Sequence, residues 1–189
     1  NNEVYSSADV IIVSINCDLI NIDGHYQIAL NDFVDSLKII AEQIRENTLL
    51  IIESTVPPGT CQKLIQPIFI SHFQDKNLDV KKFYLAHSYE RVMPGDQYYD
   101  SIVNFWRVYS GINEHSKRKC EEFLSQIINV EKFPLTKLEN ITSSEIGKLL
   151  ENSYRAVNIA FMEEWGRFAE DAGVDLYDII DAIKVRPTH

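Results

Sequence analysis

Three clusters in this chain hold side chains able to do chemistry. Glu53-Ser54-Thr55-Val56-Pro57-Pro58-Gly59-Thr60 places a carboxylate and hydroxyls directly after an apolar run and ahead of a helical pattern. Hydroxyls and free backbone N–H groups at such a junction suit a phosphate, a carboxamide or an oxyanion; the same residues also read as a plain turn with Thr60 as N-cap. His87-Ser88-Tyr89-Glu90-Arg91-Val92-Met93-Pro94-Gly95 joins a histidine, an acid and a base beyond a second apolar run. An exposed Glu-Arg pair carries little energy, so a structural turn is the alternative there. Lys148, Asn152 and Arg155 share one stripe of a helical pattern, and Leu150 stands about 200° around the axis from Lys148, so this stripe reads as lying opposite the core. It is either a solvated face or an ammonium and an amide aimed at one oxyanion, where preorganised donors contribute several kcal/mol to a transition state.

The elements that must position these clusters follow from periodicity. Val10 to Ile15 and Leu49 to Ile52 are buried-strand runs, with Phe33, Leu37, Ile40, Ala41 and Ile44 at helical spacing between them, Asn31 placed to cap the helix and Asn47 near its end. A helix over about Thr60 to Phe73 leads to a strand at Phe83 to Ala86. A strand at Arg107 to Tyr109 leads to a helix from Glu114 to Ile128, with Cys120, Phe123, Leu124 and Ile127 on one side, and a last short strand is expected within Val130 to Leu135. Alternation of this kind specifies an α/β fold with a mostly parallel sheet. Beyond it, Thr142 and Glu145 read as a capping box, and Ile146, Leu150, Tyr154, Val157, Phe161, Trp165, Phe168 and Ala172 step along one helix of about 30 residues to Gly173. So long an apolar stripe is expected to meet a second helical unit, most simply the same helix of another copy. Asp175 then caps a short helix through Ile183.

Composition narrows the function. The 189 residues carry a net charge of −10, which excludes nucleic acid and anionic membranes as partners unless a basic patch exists. Lys117-Arg118-Lys119 is followed at once by Glu121 and Glu122 and reads as a solvated helix face. Cys17, Cys61 and Cys120 form no CxxC pair and have no histidine at ligand spacing, so no disulfide framework and no metal site is indicated. Cys17, at a strand end, is the best of three weak candidates for a nucleophile, and His25, His72, His115 and His189 have no recognisable partner set. No glycine-rich G-x-G-x-x-G follows any strand. No apolar run approaches the roughly 18 residues of a membrane span, and the expected location is cytoplasmic. The chain begins Asn1-Asn2, without an initiator methionine, and is expected to be a fragment.

Read in order, Ser7-Ala8-Asp9-Val10-Ile11-Ile12, Glu53 to Thr60, Ser88-Tyr89-Glu90-Arg91-Val92 to Gly95, and Lys148-Leu149-Leu150-Glu151-Asn152-Ser153-Tyr154-Arg155-Ala156-Val157-Asn158 resemble the nucleotide-sugar dehydrogenases: the UDP-glucose and GDP-mannose 6-dehydrogenases and their UDP-N-acetylhexosamine relatives. The resemblance implies NAD as cofactor and oxidation of a sugar C6 hydroxymethyl to a carboxylate through thiohemiacetal and thioester stages on a cysteine, supplying precursors of surface polysaccharide. It implies that residues 1–138 are the second half of a Rossmann-like NAD-binding domain and that 139–189 begin a central all-α dimerisation segment, with a homodimer formed through Ser143 to Ala172. Thr55 would stand beside the nicotinamide and the catalytic water, with Ser54 next to the cofactor. Glu90 would serve thioester hydrolysis and touch the cofactor, and Lys148 with Asn152 would hold the oxyanion. Val13, Ser14 and Ile15 would pass near the NAD ribose and adenine, and Arg91, Val92 and Arg155 would join Lys148 and Asn152 at the substrate.

The spelling Glu90-Arg91-Val92-x-Pro94-Gly95 and the run Tyr154 to Asn158 look like the N-acetylhexosamine branch, because the glucose branch has a second acid where Pro94 stands. Tyr89 replaces the usual proline, and Asn16-Cys17-Asp18 stands where N-T-P is common. The family's glycine fingerprint and catalytic cysteine fall outside the chain, so these residues alone are expected to be inactive, with the first strand left as a sheet edge. Two alternatives stand beside this reading: a two-electron β-hydroxyacid or phosphogluconate type of dehydrogenase, and a non-catalytic α/β dimerisation module.

Overall fold

A run with no polar alternation has no solvent face, so Leu49-Leu50-Ile51-Ile52 must be covered on both sides, and in the structure all four are buried. The structure is a computed structural model that describes residues 4–93 and 95–185. In chain order its elements are α1 (Val4–Ser7), β1 (Val10–Val13), β2 (Leu19–Ile22), β3 (His25–Ile28), α2 (Asn31–Gln43), β4 (Leu49–Ile52), a π-type turn at Cys61–Ile65 running into α3 (Gln66–Asp75), and a short 3-10 turn at Val80–Lys82. They continue with β5 (Tyr84–His87), α4 (Tyr98–Val103), β6 (Val108–Gly111), α5 (Glu114–Leu124), β7 (Thr136–Lys137), α6 (Ile141–Asp171) and α7 (Leu176–Ile183).

The main sheet has the order β1-β4-β5-β6-β7. β1 pairs with β4 in parallel, Val10 opposite Leu49 and Val13 opposite Ile52, and β4 pairs in parallel with β5. β6 runs antiparallel to β5, and β7 parallel to β6. Side chains alternate across β4 as the strand period requires: Leu50 and Ile52 join Phe33, Leu37 and Ile40 of α2 and Phe69 and Phe73 of α3, while Leu49 and Ile51 join Tyr109 and the α5 residues Cys120 and Leu124 on the other face. The α/β class and the mostly parallel sheet are as the periodicity predicts, and β1 stands at one edge, bonded to β4.

Several local expectations are corrected. The segment between β1 and α2 is a two-stranded antiparallel hairpin, whose turn has Asp23 at φ 52° and Gly24 at φ 84°. Positive φ at both central positions matches the twist of the flanking strands, and Asp-Gly is a sequence signal for it. α2 starts at Asn31 itself, with Leu30 as the flanking residue and no side-chain cap. Residues 130–135 form no strand; turns on the Asn129 carbonyl occupy the start of that stretch, and the strand is the two-residue β7 that follows. His87 is the last residue of β5, fully buried, and not part of the loop beyond it.

α6 overturns two readings. Its first turn is capped by Asn140, whose side-chain oxygen accepts from the Thr142 N–H at 2.8 Å. Glu145 takes no part in a local box, because its carboxylate is buried against another segment. The buried positions at the start of α6 are Ile141, Ser144 and Glu145, and Lys148 is half-buried, whereas Ile146 and Leu150 are exposed. Of the stripe Lys148, Asn152 and Arg155, Lys148 is the member that meets protein, and Asn152 and Arg155 are exposed.

The chain divides into a unit ending at Lys148 and a second beginning at Leu149. In the second, the rest of α6 and α7 are joined by a turn at Gly173, and Asp175 caps α7 by accepting from the Tyr177 N–H at 2.7 Å. Leu150, Tyr154, Val157, Phe161, Trp165 and Phe168 are exposed.

Gly111 closes β6 where α5 passes so near that an added Cβ would lie 2.7 Å from the Lys117 backbone nitrogen and 2.8 Å from the Ser116 Cβ. Gly111→Ala is therefore expected to cost about 1–3 kcal/mol, read as a lowered denaturation midpoint in urea; an unchanged midpoint would show that strand and helix part freely.

Candidate functional site

The carboxyl ends of β1, β4 and β5 converge on one edge, the place where open α/β sheets bind ligands. A cleft of about 340 Å³ lies there, lined by Ile12, Ser14, Glu53, Glu90, Val92 and Arg107 among others. Three of the residues singled out from the sequence, Ser14, Glu90 and Val92, thus share one cleft.

β1 and the loop after β4 are stitched together beside it. The Val13 carbonyl accepts from the Glu53 N–H at 2.9 Å, and the Ser54 hydroxyl accepts from the Ile15 N–H at 2.8 Å. Ser54 is buried, and its hydroxyl serves this junction. Thr55, the next residue, is half-buried.

Glu90 accepts from the Val92 N–H at 2.6 Å, which fixes the carboxylate in a tight turn at the cleft wall. Arg91 donates to the Trp106 carbonyl at 2.5 Å, and its guanidinium carbon lies 5.1 Å from the Tyr89 ring centre and 5.8 Å from that of Phe105.

Lys148 reaches in from α6. Its ammonium donates to the Glu53 backbone carbonyl, a neutral acceptor, and burial lowers its pKa from the ordinary lysine value while the nearby Glu90 carboxylate opposes that shift. Asn152 and Arg155 belong to the second unit and are exposed there.

Glu53, named in the loop cluster but given no role of its own, and Arg107, not singled out at all, also belong to the cleft. They form a buried ion pair, and the Arg107 Nε also donates to the Ser88 hydroxyl at 3.2 Å. The available signal was one charged residue abutting each apolar strand, Glu53 after β4 and Arg107 before β6. Glu145 was missed for a different reason. Its Oε2 accepts from Gly59 N–H at 2.5 Å and its Oε1 from Cys61 N–H at 2.8 Å, across 84 to 86 residues of sequence. Thr60, expected as N-cap, makes no such bond; its hydroxyl donates back to the Pro57 carbonyl at 2.7 Å.

None of the cysteines is poised as a nucleophile. Burial and then Asp18 raise the Cys17 pKa above the ordinary thiol value, and Cys61 and Cys120 are fully buried. Among the described residues no group of three His, Cys, Asp or Glu side chains is arranged to hold a metal, and no helix is long and apolar enough to cross a membrane.

With this geometry in place, comparison with known proteins is specific. Residues 1–128 match the NAD binding domain of the UDP-glucose/GDP-mannose dehydrogenase family, and residues 142–189 match its central domain. The chain belongs to the UDP-glucose/GDP-mannose dehydrogenase family. A UDP-N-acetyl-D-mannosamine dehydrogenase of Methanocaldococcus jannaschii is 31% identical over 95% of this chain and 39% of that protein. One from Pyrococcus horikoshii is 33% identical over 80% of this chain and 34% of its own length. The solved structure of a UDP-D-ManNAc dehydrogenase from Pyrococcus horikoshii superposes with a TM-score of 0.79 at 28% identity, covering 99% of this chain and 42% of that one. The chain thus spans about two fifths of the length of the relatives it matches.

Within this family member, His87 packs directly under the candidate site. Its Nδ1 lies 2.8 Å from the Ser144 hydroxyl of α6, and burial pushes its pKa down to about 4, with the Ser54 backbone opposing and the Lys148 charge assisting. His87 is neutral in the native state and titrates near 6.5 once unfolded, so the unfolded chain binds the extra proton between those values. Stability from this group is present above pH 6.5 and is lost as pH falls toward about 4, by about 3 kcal/mol in total. Urea unfolding across that window is expected to show this decline, and His87→Gln a shallower one; equal slopes would remove His87 as its cause.

Proposed function

We propose that the protein of which these residues form part is an NAD-dependent nucleotide-sugar 6-dehydrogenase, acting in the cytoplasm on a UDP-N-acetylhexosamine to give the uronic acid. The observation that carries this reading is the meeting of Glu90, Ser14 and the Glu53–Arg107 pair in one cleft, with the Lys148 ammonium on the Glu53 carbonyl beside it, in a chain of this family. The named relatives being UDP-N-acetyl-D-mannosamine dehydrogenases, together with proline rather than an acid at position 94, supports the N-acetylhexosamine as substrate.

The residues present fit the cofactor. Ser14 offers a hydroxyl at the end of β1, Ile12 an exposed apolar surface, and Glu90 an acceptor, which together suit the ribose, ring and carboxamide of a dinucleotide. Bound there, NAD would accept hydride. Lys148 would place positive charge at an oxygen turning into an oxyanion, with Asn152 supplying an amide donor. Glu90 would hold or remove a proton from attacking water, with Thr55 beside it. Arg91, Val92 and Arg155 would orient the sugar nucleotide. A homodimer formed through α6 is part of the same reading, supported by the exposed apolar run from Leu150 to Phe168.

The test is absorbance of NADH for the full-length protein given NAD⁺ and UDP-N-acetylhexosamines, UDP-glucose or GDP-mannose. Two NADH per sugar are expected, with Lys148→Ala reducing turnover about 10²-fold or more. One NADH per substrate would favour the two-electron class, and none from any nucleotide sugar would overturn the proposal. Leu150→Glu with Val157→Glu is expected to halve the particle mass in light scattering; an unchanged mass would place the subunit contact elsewhere.

A further inference from the structure

The loop from Glu53 to Cys61 is tied to α6 at both of its ends. At its start the Glu53 carbonyl accepts from Lys148; at its far end the Gly59 and Cys61 N–H groups donate to the two oxygens of Glu145. Glu145 and Lys148 are three residues apart, neighbours on one helix face. Thr55 lies between the two anchor points. The loop has little slack: Pro57 and Pro58 fix their own φ angles, and Gly59 has φ +89°, a left-handed conformation that turns its N–H to the carboxylate.

Water cannot replace the second anchor, because Glu145 is 1% exposed. Nor does the loop cap itself, since the Thr60 hydroxyl is bonded to Pro57. A carboxylate is required, because both of its oxygens face donors. An amide in its place would turn an NH₂ group toward one of the two N–H groups, donor against donor.

Resting on the nucleotide-sugar reading above, we propose that Glu145 is a positioning residue for that oxidation: by holding the Gly59 and Cys61 amides it sets Thr55 at a fixed distance from Lys148. Glu145 touches neither substrate nor cofactor in this role. It acts through the loop, so its loss should lower turnover more than substrate affinity, because misplacement of reacting groups by an ångström is costly while binding contacts elsewhere are kept.

The experiment has two arms on the full-length protein. In the first, amide hydrogen exchange is followed by mass spectrometry for wild type and Glu145→Gln. Residues 54–61 are expected to exchange about ten-fold faster in the variant while β4 and β5 keep their protection; unchanged exchange at 54–61 would overturn the proposal. In the second, kcat is expected to fall about ten-fold in Glu145→Gln with KM for the nucleotide sugar within about two-fold, and Glu145→Gln added to Lys148→Ala should cause no further loss. The same fold-loss in both backgrounds would mark a general structural effect and overturn positioning. Should Glu145→Gln fail to fold, Glu145→Asp keeps the charge but withdraws it by one methylene, and the same two outcomes apply. If the wild type makes no NADH from any nucleotide sugar, the reading of function falls, and the exchange arm alone decides whether Glu145 anchors the loop.

Discussion

A carboxylate with almost no access to water is the constraint on which the site edge depends. Bringing Glu145 out of solvent costs several kcal/mol, and the structure offsets this with two charge-assisted bonds from backbone amides that would otherwise be orphans at a helix start. The arrangement is mutual: without Glu145 two buried donors are unsatisfied, and without the loop a buried charge is. α6 therefore cannot slide or rotate at its start without breaking both bonds. Ser144 meets His87 and Lys148 meets Glu53 because they flank a residue with one place to go.

The charges of the cleft follow from this fixed frame. Arg107 pairs with Glu53 largely out of water, while the Glu90 carboxylate is held by the Val92 N–H and acts on Lys148. Buried ion pairs of that kind add little net stability, but they prescribe geometry, here the spacing of β4 from β6 where the cleft is lined. Burial is the largest influence on Lys148 and lowers its pKa; Glu90 opposes that shift and Arg107 adds to it.

β1 and β4 were legible because each is a short run with no polar residue, and the helices because α2, α5 and α6 repeat at the helical period. The hairpin β2–β3 was not read, although Asn21-Ile22-Asp23-Gly24-His25 carries the right turn residues; every position of its strands is exposed, so the usual alternation of buried and solvated side chains gave no pattern to follow. Glu145 failed differently. Three residues after a threonine, a glutamate satisfies the local rule for a capping box, and only the three-dimensional need of two distant amides outranks it. Lys148 and Glu90 stand in motifs with recognisable spacing, whereas Arg107 belongs to no motif and offered only the weaker signal of a lone cation abutting an apolar strand.

Periodicity also cannot say which side of a two-faced helix meets protein. α6 uses its polar side at the beginning, where Ser144, Glu145 and Lys148 grip the sheet, and exposes apolar Ile146 and Leu150. A helix docked through hydrogen bonds and charges is held in a directional way, whereas an apolar face is tolerant of register. The bonds that fix Lys148 all lie within the first unit, at its last residue. Its distance from Thr55 and Glu90 is therefore a property of the sheet unit, and the longer apolar stripe beyond it is free of that task.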